Sequence, residues 1–91
     1  MSETCCVVRV ASPLRSYTHG KAQVTANGAT LHDILADLDR QFPGMRFRMI
    51  DEQNRIREHI RLAINTAMTG NLQHKVNSGD VIHLLCALSG G

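Results

Sequence analysis

Few residues in this chain are placed to do chemistry, and the most unusual candidate is its last group. "LLCALSGG" runs an apolar stretch to Leu88 and Ser89 and closes on Gly90-Gly91, a carboxylate with no side chain beside it. Three thiols, Cys5, Cys6 and Cys86, are the possible nucleophiles, and no C-x-x-C joins any two of them. That excludes a zinc knuckle and a thioredoxin-type redox pair. The five histidines, His19, His32, His59, His74 and His83, form no H-E-x-x-H and no i, i+4 pair, so no metal site is expected. No Ser/His/Asp, Cys/His or paired-carboxylate spacing emerges either, and the chain is expected not to be an enzyme.

On a strand, adjacent Cys5 and Cys6 point to opposite faces and make poor partners for each other. All three cysteines are expected to be buried or half-buried thiols in a reducing cytoplasm. Cys86 has two readings: a thiol that captures the neighbouring tail, or a small core hydrophobe. Its shared parity with Ile82 and Leu84 favours burial. Arg46, Arg48, Arg55, Arg57 and Arg61 make one stretch locally basic. The plain expectation is a solvated edge; the functional one is a patch that speeds association with an acidic groove.

Composition narrows the partners. Ten Lys and Arg against eight Asp and Glu leave a net charge of +2, too balanced for a nucleic-acid protein. No apolar run approaches the roughly 20 residues that span a bilayer, and "MSETCCVVRV" lacks the basic leader and apolar core of a signal peptide. Ninety-one residues suit one domain, and with only three aromatics its core must be built from Val, Ile and Leu.

The elements that would position these groups can be read from periodicity. Cys6 to Val10 is rich in β-branched residues, with Cys6, Val8 and Val10 on the inner face. "SPLRSYTHGK" is turn-forming, and Lys21 to Ala26 suits the second strand of a hairpin, closed at Asn27-Gly28 by residues that tolerate positive φ. In "TLHDILADLDRQF", Thr30 caps a helix and Leu31, Ile34, Leu35, Leu38 and Phe42 form one core-facing stripe. Asp33, Asp37, Asp39 and Arg40 lie off it, and Pro43-Gly44 stops the helix. The segment 45–59 is compatible with a short second helix or a long loop. "IRLAIN" alternates, with Ile60, Leu62 and Ile64 on one face and Arg61 and Ala63 on the other. "NSGD" is a turn at Gly79, and "VIHLLCAL" is a last strand, apolar on both faces and suited to the sheet centre. The order β, β, α, irregular, β, β predicts an α+β roll: one sheet wrapped on one helix, its two terminal strands neighbours at the centre.

This order, the "GD" turn, the final apolar strand and the Gly-Gly end together resemble the ubiquitin-like sulfur carriers of the ThiS/MoaD family. The matching stretches are "VVRVASPLR", "GATLHDILADLDRQFPG", "LAIN" and "NSGDVIHLLCALSGG", nearly the whole chain, with Met45 to His59 the weakest match. The long segment before the third strand and the "SPLR" start look more like the CysO-like branch, which serves cysteine or other thiometabolite biosynthesis, than the short molybdopterin or thiazole carriers. One departure is that the family often carries proline just before its tail, where this chain has Cys86-Ala87. Proline would stiffen the exit from the strand, so its absence bears on rigidity and not on chemistry.

The resemblance implies a β-grasp fold, a mixed four- to five-stranded sheet packed on one main helix. It implies a single domain over 1–91, with 88–91 a flexible tail. It also implies that an E1-like adenylyltransferase uses ATP and magnesium to adenylate the Gly91 carboxylate. A sulfur donor, a sulfurtransferase or sulfide, then makes a thiocarboxylate, and a downstream enzyme accepts the sulfur. The carrier is then a protein co-substrate, monomeric when alone, cytoplasmic, and independent of nucleic acid, membrane and metal. Its task is to reach: Leu88 to Gly91 extended spans roughly 13 to 14 Å. Without Cβ atoms, Gly90 and Gly91 pass a narrow channel, and Ser89 belongs to the same threaded segment. Leu88 and Arg61 are the candidate docking residues, with end-of-strand packing the other reading of Leu88. Two other classes stay open. One is a protein modifier forming isopeptide bonds through Gly91; the other is a structural small subunit whose tail merely plugs a partner enzyme.

Overall fold

The computed structural model describes residues 5–86. Strand β1 (Cys5–Val10) buries every second residue: Cys6, Val8 and Val10 face inward while Cys5 and Arg9 face out. It pairs antiparallel with β2 (Gln23–Asn27), bringing Val8 opposite Val24. Between them the turn-forming stretch winds into a 3-10 helix, Ser12–Thr18, with Pro13 in its first turn and Leu14 buried. The buried Thr18 hydroxyl is satisfied by donating to the Lys21 carbonyl at 2.7 Å. The chain then reverses through left-handed His19 and Gly20.

Helix α1 (Leu31–Gln41) starts as expected, with the Thr30 hydroxyl accepting the Asp33 N–H at 3.3 Å. Two further free N–H groups of its first turn are taken by a loop distant in sequence. Leu31 N–H donates to the His74 carbonyl at 3.0 Å, and His32 N–H to that of Leu72 at 2.8 Å. The 72–76 segment therefore acts as a strap over the helix start, its own Leu72 and Val76 buried beneath. The whole predicted stripe, Leu31 to Phe42, is buried.

Two details of this region differ from expectation. Asp37 is off the apolar stripe yet buried, because it reaches the end of β2: its Oδ2 accepts the Asn27 N–H at 3.0 Å and Gln41 Nε2 at 2.9 Å, and Arg40 pairs with its other oxygen. Gly28 does not take a positive φ. Its requirement is close approach, since a Cβ there would lie 2.7 Å from Asp33 Cβ and 2.8 Å from the Ile34 nitrogen.

The segment 45–59 resolves into both options left open. Helix α2 (Met45–Met49) sinks Met45 and Met49 into the core, followed by Ile50. A loop then turns on Asp51, whose Oδ1 accepts the N–H groups of Gln53 and Arg55 at 2.9 and 3.0 Å. Strand β3 (Ile60–Ile64) follows the predicted alternation, except that Ala63 is also buried. A left-handed turn at Asn65 leads into β4 (Ala67–Thr69), a short edge strand that the periodicity did not suggest. The predicted turn at Gly79 leads into β5 (Val81–Cys86).

The sheet order is β2-β1-β5-β3-β4. Strands β1 and β5 are parallel neighbours at the centre, with Val8 beside Ile82 and Val10 beside Leu84. On its other side β5 runs antiparallel to β3, from Ile64–Ile82 to Ile60–Cys86. One face of this mixed sheet packs on α1, which makes the β-grasp roll: five strands and one main helix.

Candidate functional site

The four tail residues singled out by sequence, Leu88, Ser89, Gly90 and Gly91, lie outside the described residues. The structure instead shows what holds the strand that leads to them. Strand β5 is paired on both edges, with β1 from Val81 to Leu84 and with β3 from Ile82 to its last rung at Cys86. Its inward side chains Ile82 and Leu84 are fully buried, so the strand is anchored by two ladders and by the core.

The start of β5 is fixed by a polar clasp. Asn65 Oδ1 accepts the Val81 N–H at 3.0 Å, while its Nδ2 donates to Asp80 Oδ1 at 3.1 Å. Asp80 Oδ2 in turn accepts the Asn77 N–H at 2.9 Å. The Asn77 backbone N–H, then the Asn65 amide, hold the Asp80 carboxyl below its ordinary range by stabilising the charged form.

Arg61, the one predicted docking residue that is described, stands on β3 directly across from Leu85. Its Nη1 donates to the carbonyls of Glu58 and Ile60 at 2.7 and 3.0 Å, so the side chain folds back along its own strand. Around it the outer sheet face is partly open, with Leu85 37% and Met68 59% exposed.

The other arginines of the basic stretch are organised rather than scattered. Arg57 lays its guanidinium 4.4 Å from the centre of the Phe47 ring, and its Nε donates to the Phe47 carbonyl at 2.6 Å. Arg48 approaches the Tyr17 ring at 5.8 Å. Arg46 Nη2 donates to Asn54 Oδ1 at 2.7 Å. Sequence reasoning took the positive charge and missed the aromatics; the signal available was Phe47 set between two arginines in "RFR".

The cysteines separate by environment. Cys6 is buried, but Cys5 is exposed rather than buried or half-buried as expected, because it takes the outer face of the strand. Burial, and then the charge of Asp80, push the Cys6 thiol up from its ordinary value, and its Sγ donates to the Asn77 carbonyl at 3.4 Å. Cys86 is only half-buried, short of the core position its parity suggests. A recess of about 240 Å3 opens over it, walled by Arg48, Arg57, Glu58, His59 and Ile60. Among the described residues no three His, Cys, Asp or Glu side chains gather as a metal site. No helix there is long and apolar enough to cross a membrane.

Residues 8–91 match the model of the ThiS family. The sulfur carrier protein CysO of Mycobacterium tuberculosis is 27% identical over 89 residues, which make up 92% of this chain and 96% of that protein. A chain of the Amycolatopsis orientalis BexX/CysO complex superposes with a TM-score of 0.86 at 29% identity, covering 94% of this chain and 99% of that one. The crystal structure of Mycobacterium tuberculosis CysO superposes at 0.85 with 25% identity, covering 91% of this chain and 99% of that one.

Proposed function

This chain belongs to the ThiS family, as a β-grasp protein of the CysO-like sulfur-carrier type, and from that premise we propose that it carries sulfur on the carboxyl group of Gly91. The observation that supports this most is a family match that runs through Gly90-Gly91, on a chain whose central strand, β5, ends at Cys86.

The chemistry follows from the carboxylate's weakness as an electrophile. Its charge is delocalised, so it needs a leaving group. An E1-like partner supplies one: the Gly91 carboxylate attacks the α-phosphorus of ATP, with magnesium on the phosphates, and pyrophosphate leaves. A sulfide nucleophile then adds to the acyl carbon and AMP departs, leaving a thiocarboxylate. The thiocarboxylate sulfur attacks the electrophile held by the acceptor enzyme, whose leaving group departs. Water then cleaves the resulting acyl–sulfur bond, leaving the sulfur on the acceptor's substrate and returning the Gly91 carboxylate. The carrier contributes geometry: a body held outside the partner and a thin chain end inside it, with Arg61 and Leu88 the residues proposed to meet the partner at the mouth. A reducing cytoplasm suits both the thiocarboxylate and the three thiols.

Incubation with the activating enzyme of the same genome, ATP, magnesium and sulfide should raise the mass by about 16 Da, oxygen replaced by sulfur. Deleting Gly91 should abolish the gain. A gain that survives the deletion refutes this site.

A further inference from the structure

The carrier's end has to be received by two proteins in turn, one that activates it and one that consumes its sulfur. Resting on that reading, we propose that Phe47, framed by Arg48 and Arg57, is a docking knob for the second: a sulfur-accepting enzyme whose mouth offers an apolar socket edged by carboxylates.

Phe47 is 59% exposed in a chain that has only three Phe and Tyr residues, and a second of these, Tyr17, lines the same recess of about 500 Å3 together with Arg48 and Arg57. A large ring left in water costs solvation, and here it is also held still. Arg57 covers one face of it and ties down its carbonyl. A knob already fixed in place loses little side-chain freedom on binding. Aromatic and arginine side chains packed together are the composition that interface centres favour.

The charge points to the socket's rim. Arg46, Arg48, Arg55, Arg57 and Arg61 are half of the ten cations in the chain, set within sixteen residues against three carboxylates. Among the described residues none of the five makes an ion pair; their hydrogen-bond partners are backbone carbonyls and the Asn54 amide. Asp51 is turned to backbone N–H groups of its own turn, and Glu52 and Glu58 line the two recesses beside Arg48 and Arg57, so five guanidinium groups outnumber three carboxylates. The excess of positive charge is what an acidic partner would meet.

Position links the knob to the tail. Arg48 and Arg57 wall two recesses at once, the one holding Phe47 and the one over Cys86. They join the knob to the last described rung of β5, so a partner seated at that end of the strand can reach both. The choice between the two receivers comes from charge. The activating partner has to hold ATP phosphates with cations beside the Gly91 carboxylate, which makes a poor match for an arginine ledge. An acceptor carries no such demand.

The test uses carrier converted to the thiocarboxylate chemically, by sulfide cleavage of an intein fusion, so that loading does not depend on the activating enzyme. Sulfur transfer to the accepting enzyme of the same genome is followed at increasing carrier concentration. Phe47→Ala and the double variant Arg48→Glu/Arg57→Glu should each raise KM by about tenfold or more with kcat held, as loss of an interface anchor does. The wild-type KM should rise with salt, and that of the double variant should not. Thiocarboxylate formation by the activating enzyme should stay within about twofold for both variants. Phe47→Leu, which keeps an apolar knob, should recover most of the affinity. Unchanged KM in Phe47→Ala overturns the knob, and an equal loss in the activation reaction overturns its assignment to the acceptor. If wild-type carrier gains no sulfur from the activating enzyme, it is the proposed function that fails; the chemically loaded protein still tests the ledge.

Discussion

Gly28 lies so close to the first turn of α1 that a methyl group on it would overlap Asp33, at 2.7 Å from that residue's Cβ. The obstacle includes backbone, at 2.8 and 2.9 Å, which cannot swing away. Gly28→Ala should therefore destabilise the fold by about 1–3 kcal/mol, the cost of overpacking. Thermal unfolding would show it as a drop of several degrees, and an unchanged midpoint would contradict the close approach.

Leu84 and Leu85 are neighbours on β5 with opposite fates: one is fully buried, the other 37% exposed. Leu84→Ala should cost about 2–5 kcal/mol, the range for core leucines that leave a cavity. Leu85→Ala should cost less than about 1 kcal/mol. Urea unfolding of the pair checks the facing of the strand, since a one-residue register slip would exchange the two values.

Asp80 and Asp51 are both held below the ordinary carboxylate value of 3.8 by backbone N–H donors in their turns. A depressed folded value means that the stabilisation is complete above 3.8 and is lost as pH falls through the lower, folded value. Stability should fall on acidification in that window. Asp80→Asn should remove part of the fall, measured as a smaller difference in unfolding midpoint between roughly pH 5 and pH 2.5. An identical acid profile for the variant would remove Asp80 from the account.

The three thiols should react in a fixed order. Exposed Cys5 should label fastest with a maleimide, half-buried Cys86 more slowly, and buried Cys6 only on unfolding. Peptide mapping after short exposure distinguishes them. Labelling of Cys6 in the folded protein would contradict its place beneath the sheet.

Much of the fold was legible because its strongest elements announce themselves locally. The stripe from Leu31 to Phe42 has the helical period and a cap at Thr30, and the β-branched run in β1 and the apolar run in β5 allow little but central strands. What escaped depends on partners distant in sequence. Ala67-Met68-Thr69 becomes a strand because β3 offers it an edge, not through any pattern of its own. Asp37 is buried because Asn27 presents an N–H to it, and Met45, Met49 and Ile50 reach the core between arginines that disguise the period. At the site, alternation sufficed to put Arg61 on the outer face of β3. The Phe47–Arg57 stack needed the ten-residue closure of a loop that periodicity does not describe.

The two ladders on β5 also have a mechanical meaning. Under the proposed function the chain end is drawn into other proteins, and the load passes to this strand. With β1 paired along Val81–Leu84 and β3 along Ile82–Cys86, a tug along the strand would load two ladders in shear, where an edge strand has only one to resist it. The body can thus be hauled against a partner without losing its thread.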